Sequence, residues 1–210
     1  EMLNQVATDG GAYVVVGYNR RFYESVRQLR ECIGIDGGVL SAQFEFTEWS
    51  HVIQNVVCND RVKQRMVLGN SSHVLDLVFH LIGRPIDWKC WNAGSVNWHP
   101  AAARFSGAGI TERNVMFSYL SDWQAPGRWG VEFMTARRRL ILRPMEKLQI
   151  MPLGSISIEA VEPNSSVDHK YKPGLYRQTR AFLEGDWQMF CTLSEQVENV
   201  RIYSKMAGYL

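Results

Sequence analysis

The sequence predicts an α+β fold: an open, mostly antiparallel mixed β-sheet with helices on one face, following the remnant of a parallel α/β unit. Three observations predict it. A short apolar helical face and a β-branched run open the chain, several half-buried strands follow without helices between them, and helical segments stand beside those strands.

The elements are justified in order. Met2, Leu3, Val6 and Ala7 form one apolar helical face that Gly10 and Gly11 stop, and Ala12 to Gly17 reads AYVVVG. Such a run suits a strand buried on both faces, as in a parallel sheet. A helix followed by a doubly buried strand, with no partner strand before it, reads as the tail of a βαβ array that starts upstream. A short helix comes next, with Val26, Leu29 and Ile33 on one face. The pattern then changes: Leu40, Ala42, Phe44 and Phe46 alternate with Ser41, Gln43, Glu45 and Thr47, a strand with one covered face. Further strands are expected at 114–120, 130–136, 140–143, 147–151 and 155–161, separated by turn-rich stretches such as Ala125-Pro126-Gly127. Helices are expected at 61–82, 175–183 and 193–206, the last opened by Thr192 and Glu195 in capping-box spacing.

Composition narrows the function classes. With 46% hydrophobic and 21% charged residues over 210 positions, the chain can bury a core in the manner of an ordinary soluble protein. A net charge of +2 is too small to point to nucleic acid. No apolar run approaches the ~20 residues that cross a bilayer, and the N-terminus lacks the order of a signal peptide, so no membrane role is expected. The basic run Arg137 to Arg139 reads as a solvated edge strand carrying charge against aggregation. Cys32, Cys58, Cys90 and Cys191 are widely spaced with no C-x-x-C, which reads as buried reduced thiols in a cytoplasmic protein.

The most informative stretch is Gly69-Asn-Ser-Ser-His73-Val-Leu-Asp76-Leu-Val-Phe-His80-Leu-Ile-Gly83. At 100° per residue, Gly69, His73, Asp76 and His80 share a narrow stripe on an otherwise apolar helix. The stripe presents an imidazole and a carboxylate together, or it simply faces water. His73, Asp76 and His80 at i, i+3 and i+7 also have a spacing that can converge on a cation, but that spacing is common by chance and no metal is assigned.

Val16-Gly-Tyr-Asn-Arg-Arg-Phe22, the strand at Gly38 to Trp49, the His73-x-x-Asp76 helix ending in Leu81-Ile-Gly83, and Tyr176-x-Gln178 with Phe182-Leu183 resemble the C-terminal half of the glucose-fructose oxidoreductase, inositol dehydrogenase and MocA family. The resemblance runs in order over essentially the whole chain. It implies that residues 1–18 are the remnant of an N-terminal Rossmann domain and that 19–210 form the substrate-binding and oligomerisation domain. It also implies NAD or NADP as cofactor, a sugar, sugar derivative or polyol as substrate, and a homodimer packed through the broad sheet face. The family's G-x-G-x-x-G and its Glu-Lys-Pro segment with the catalytic lysine belong upstream of Ala12, and neither occurs in these residues. The chain alone is therefore expected to be inactive.

The resemblance also assigns roles. His73 is expected in the acid/base relay with the upstream lysine, a task that suits a group titrating near neutrality. Asp76 is expected to bind substrate hydroxyls or to orient the imidazole, with Asn70 a polar neighbour. Asn19, Arg20 and Arg21 begin the second domain at the expected cleft. Arginine there pairs with a carboxylate, a phosphate or a structural acid, and Asn19 with Arg20 are the residues here that reach the cofactor. Trp49, His51 and Trp123 are candidates for sugar stacking or hydroxyl contacts. The family commonly carries an aspartate four residues before the histidine, where this chain has Gly69. That departure keeps a second reading open: a non-catalytic relative that retains the sheet for ligand binding or oligomerisation.

Overall fold

The computed structural model describes residues 2–164 and 166–210; Glu1, first residue of the expected N-terminal remnant, lies outside them. Helix α1 (Met2–Asp9) ends at Gly10 and Gly11 as the sequence predicts. Strand β1 (Val15–Val16) corrects the expectation of a doubly buried parallel strand. It is two residues long, half-buried, and pairs antiparallel with Cys191–Thr192 near the other end of the chain.

A 3₁₀ turn (Asn19–Phe22) leads into α2 (Glu24–Ile35), whose Val26 and Leu29 are fully buried, and then β2 (Ser41–Glu45). The single helix expected at 61–82 is broken. Short helices α3 (Ser50–Ile53) and α4 (Asp60–Lys63) come first, then a π-helical turn (Val67–Ser71) that runs directly into α5 (Ser72–Ile82). Gly83, at φ +85°, ends α5 where an L side chain is strained. The strands β3 (Pro85–Ala93), β4 (Arg104–Thr111), β5 (Met116–Asp122), β6 (Gly130–Met134), β7 (Arg138–Leu142), β8 (Leu148–Pro152) and β9 (Glu159–Ala160) follow. Helices α6 (Val167–Lys170) and α7 (Leu175–Glu184), strand β10 (Cys191–Thr192) and helix α8 (Leu193–Met206) complete the chain.

The main sheet has eight strands in the order β3-β4-β5-β2-β6-β7-β8-β9, antiparallel except where β2 and β5 run parallel. Register places Ala42 beside Phe117 and Phe133, and Phe44 beside Tyr119 and Val131. These inward residues meet α5, where Phe79 packs edge-on against Phe44 at 5.9 Å and Phe117 at 5.4 Å. Each such buried side chain stabilises the fold by roughly 1.5–3 kcal/mol. The other sheet face leaves Met116 and Leu120 two-thirds exposed. This is the α+β architecture the sequence predicts, with its helices on one face.

Three strands escaped the sequence pattern: β3, β4 and the two-residue β10. In β3 the large apolar side chains Ile86 and Trp91 are exposed, so burial does not follow hydrophobicity, and β4 is interrupted by Gly107 and Gly109. The basic run is not at an edge, because β7 lies between β6 and β8. Arg138 pairs with buried Asp36 at 2.9 Å and Arg139 with Glu132 at 3.5 Å, so acidic partners hold it in the sheet interior. All four cysteines are free, but Cys191 alone is buried and Cys58 is exposed. No helix among the described residues is long and apolar enough to cross a membrane.

Candidate active site

The 3₁₀ turn at Asn19–Phe22 packs against both α5 and α7. Gly174, at φ +73°, permits that packing, since a Cβ there would stand 2.2 Å from the Asn19 carbonyl oxygen. Asn19 fastens it: its Nδ2 donates to the Pro173 carbonyl at 3.0 Å and its Oδ1 accepts from Arg20 Nη1 at 2.9 Å. Both ends of the Asn19 amide are thus engaged within the chain.

His73 stands half-buried in the first turn of α5, with the Tyr18 ring packed edge-on at 5.2 Å. Its Nδ1 is buried without a hydrogen-bond partner. Burial, with the positive charges of Arg20 and Lys172, lowers its pKa to about 4, so the imidazole is neutral at pH 7. A neutral imidazole can take a proton from a hydroxyl. His80, two turns on, is lowered further, to about 3, by burial and by Arg21, Arg30 and Arg113.

Asp76 and Arg21 require a correction. The structure brings them together, but as a buried pair rather than as separate contacts for substrate. Arg21 donates from Nε to Asp76 Oδ2 at 2.8 Å and from Nη2 to Oδ1 at 2.6 Å, and Nη2 also reaches Glu195 at 2.8 Å. Both side chains of the central pair are closed to solvent. Burial raises the Asp76 carboxyl to about 6 against the pull of Arg21, so it is ionised at neutral pH. Burial alone lowers the Arg21 pKa, but the two carboxylates outweigh it and hold the guanidinium above its ordinary value. The Thr192 hydroxyl caps α8 by accepting from Glu195 N at 3.1 Å, while the Glu195 carboxylate serves Arg21. Asp76, Cys191 and Glu195 each bring a ligand-type atom within 4.8 Å of the others, yet Arg21 occupies both carboxylates.

A second buried carboxylate, which sequence reasoning missed, lies just beyond β2. Glu48 Oε1 accepts from Ser71 Oγ at 2.8 Å, Asn70 Nδ2 at 2.9 Å and Trp129 Nε1 at 3.2 Å, while Oε2 accepts from Arg128 at 3.2 Å. Burial pushes its pKa up. Asn70, expected near substrate, instead fastens the π-helical turn to Glu48. The available signal was an acid directly after a period-two strand, where the alternation predicts a core-facing residue. Nothing in the linear pattern flagged Arg128 or Trp129.

Arg20 has different surroundings from Arg21. Its guanidinium lies over the Trp129 ring at 4.9 Å, and Arg128 lies over the same ring at 5.0 Å. Its Nε is buried without a partner. Beside Glu48 opens a cavity of about 570 Å³ lined by Trp49, His51 and Gln54 on one side and 123–127 on the other. Trp49 is half-exposed and fixed by its Nε1 donating to the Gly127 carbonyl at 3.0 Å. Trp123 borders the cavity but is 2% exposed, stacks on Trp98 at 5.3 Å and donates to the Phe46 carbonyl at 3.2 Å, so most of its ring serves the core.

A dinucleotide needs a glycine-rich strand-to-helix turn that lets its phosphates approach the backbone. Gly107 and Gly109, spaced like part of one, lie within β4 with Tyr119 and Trp88 side-chain atoms 2.6 and 2.3 Å from where their Cβ atoms would stand. The described residues do not fit a dinucleotide phosphate site.

Neither a family model nor a curated protein matches the sequence. Solved structures do. An inositol dehydrogenase homolog from Azotobacter vinelandii, complexed with NAD+, matches at TM-score 0.73 and 17% identity over 98% of this chain and 65% of its own. UDP-N-acetylglucosamine 3-dehydrogenase from Acidithiobacillus ferrooxidans matches at TM-score 0.72 and 13% identity, covering 98% and 64%. An NAD binding oxidoreductase from Klebsiella pneumoniae matches at TM-score 0.72 and 12% identity, covering 98% and 66%. The chain thus has the fold of a large part of these proteins and spans about 65% of the length of the first of them.

Proposed function

We propose that the chain is the substrate domain of an NAD(P)-dependent oxidoreductase of the glucose-fructose oxidoreductase, inositol dehydrogenase and MocA family, acting on a sugar, sugar derivative or polyol. In this reading residues 1–18 belong to a Rossmann domain and 19–210 to the substrate domain. One observation carries it: a neutral, half-buried His73 with an unpartnered Nδ1, in a fold shared with an inositol dehydrogenase homolog and a UDP-N-acetylglucosamine 3-dehydrogenase. The A. vinelandii protein has also been solved with NADH and myo-inositol, which supports a polyol or sugar as the substrate class.

Oxidation of a secondary alcohol pairs hydride loss from carbon with loss of the hydroxyl proton. The side chains of this chain act on the second half. His73, neutral at working pH, accepts that proton directly or through a neighbouring base, and Tyr18 packed against its ring limits its rotation. Arg21, Asp76 and Glu195 fix the floor of α5 beneath it. Trp49 and His51 border the cavity that receives the rest of the substrate.

Turnover of a polyol panel by the protein joined to its nucleotide-binding half tests this. His73→Ala is expected to lower turnover by at least ~10², with cofactor affinity and thermal midpoint near the parent's. Undiminished activity in His73→Ala would remove the catalytic role. Failure of the intact protein to reduce NAD or NADP with any member of the panel would favour the non-catalytic reading, which the lack of a carboxylate at Gly69 supports.

The open sheet face suits a second copy of the chain, since Trp91, Met116 and Leu120 stand exposed on it. Four free cysteines suit a reducing compartment, and we assign the cytoplasm on that ground.

A further inference from the structure

We propose that the site selects a sugar or polyol bearing an anionic group, a carboxylate or a phosphate, held by Arg20 and Arg128 where both guanidinium groups lie over Trp129. The sugar part of this assignment rests on the function proposed above; the anion part stands on the following geometry.

Two guanidinium groups over one indole, at 4.9 and 5.0 Å, repel each other and are kept together by the ring and by the acids around it. Those acids do not neutralise them. Glu48 pairs with Arg128 at 3.2 Å, but three of its four donors are neutral side chains that draw on the same carboxylate. Among the described residues no carboxylate forms an ion pair with Arg20. Glu48 and Glu146 act on it only from a distance, while Lys172 adds positive charge near His73.

The hydrogen-bond inventory points the same way. Among the described residues, the buried side-chain polar atoms without a partner include three nitrogens about this junction: Arg20 Nε, Gln178 Nε2 and His73 Nδ1. The Gln178 atom lies 3.9 Å from where a Cβ on Gly17 would stand, at the entrance to the Asn19–Phe22 turn. Arginine Nε and an amide nitrogen can only donate, and a buried donor left unpaired costs about 1–3 kcal/mol. An oxyanion is an acceptor of the kind such donors lack, and its charge matches the two guanidinium groups. Arg128, 46% exposed and 4.8 Å from the Trp49 ring, extends this positive strip to the cavity beside Trp49. A substrate whose carbinol meets His73 therefore has its acidic group directed along Arg20 and Arg128.

The test is a titration of the chain with D-glucuronate, glucose 6-phosphate, glucose and inorganic phosphate, followed by the indole N–H resonance of Trp129. At least one acidic sugar is expected to bind roughly tenfold or more tightly than glucose, as a charge-assisted contact provides. Preference for glucuronate identifies a carboxylate, and preference for glucose 6-phosphate identifies a phosphate. Arg20→Gln and Arg128→Gln are expected to abolish the preference with the thermal midpoint held, while Arg128→Lys retains part of it. Glucose binding as tightly as both acidic sugars, inorganic phosphate binding as tightly as glucose 6-phosphate, or no response to any probe overturns the proposal. His73-dependent oxidation of a neutral polyol could persist through that failure, so the two readings fall separately.

Discussion

The two flanks of α5 handle buried charge in opposite ways. On one, Arg21, Asp76 and Glu195 form a closed network: the central pair is sealed from solvent, and the arginine Nε and Nη2 meet carboxylates. On the other, Arg20 leaves Nε unpartnered, Arg128 is half open to solvent, and Glu48 takes most of its hydrogen bonds from neutral groups. Arg20 and Arg21 are adjacent in sequence, and both are candidates there for substrate contact. Their surroundings separate them. A network satisfied within the chain holds the fold, whereas one with donors left over is incomplete until something binds.

That contrast can be broken most forcefully on the closed side. Arg21→Ala leaves the Asp76 carboxylate buried without its cation, and unfolding in urea should show a loss of about 3–5 kcal/mol. Arg20→Ala should move the urea midpoint far less, because no carboxylate loses its partner. Similar losses for the two variants would erase the distinction. Under the proposed function the order should reverse for ligand affinity, with Arg20→Ala weakening acidic-sugar binding more than any mild variant on the Arg21 flank.

A pH titration sharpens the comparison at His80. The folded chain keeps His80 neutral down to about pH 3, whereas the unfolded chain protonates it near 6.5. The unfolded state therefore binds more protons between those values. Stability present above pH 6.5 is lost as pH falls through that window, by up to about 1.4 kcal/mol per pH unit. His73 acts in the same sense down to about pH 4, and Asp76 in the opposite sense between 3.8 and about 6. The difference between the parent and His80→Asn isolates the His80 share. A parent and variant with parallel stability profiles from pH 6.5 to 4 would refute the assignment.

The smallest expected effect is at Gly69. No atom lies within 4 Å of a Cβ built there, and its φ is not in the left-handed region, so an aspartate fits without strain. Gly69→Asp should change stability by no more than about 1 kcal/mol. A large loss of thermal midpoint would mean that the turn needs glycine for a reason beyond space.

Much of the fold was legible because period-two alternation marks strands that are wet on one side. The strand at β2 and the capping residue of α8 were readable from local chemistry alone. Strands β3 and β4 were not, since exposed tryptophan and interior glycines erase the alternation. The site was legible as a neighbourhood rather than as roles. His73, Arg20 and Trp49 were picked out, but pairing decides function. The sequence holds no sign that Asp76 closes on Arg21, 55 positions away, or that Glu48 meets Trp129, 81 positions away. Such partners are set by the sheet's crossover and not by spacing.

The π-helical turn before α5 bears on how positions are compared between relatives. Its Val67 carbonyl accepts from Ser72 N, five residues on, so the turn holds one residue more than an α-turn. Counting back four from His73 to Gly69 therefore crosses a place where four residues no longer make one revolution. A relative without the extra residue would put its i−4 side chain at a different azimuth, and an alignment drawn without a gap would equate positions that do not coincide in space. Removing one residue from 67–71 would swing Asn70 and Ser71 by about 100° relative to α5 and detach both from Glu48. Whether Gly69 coincides in space with an aspartate of a relative is thus also a question of phase, set by the π-helical turn that ends where α5 begins.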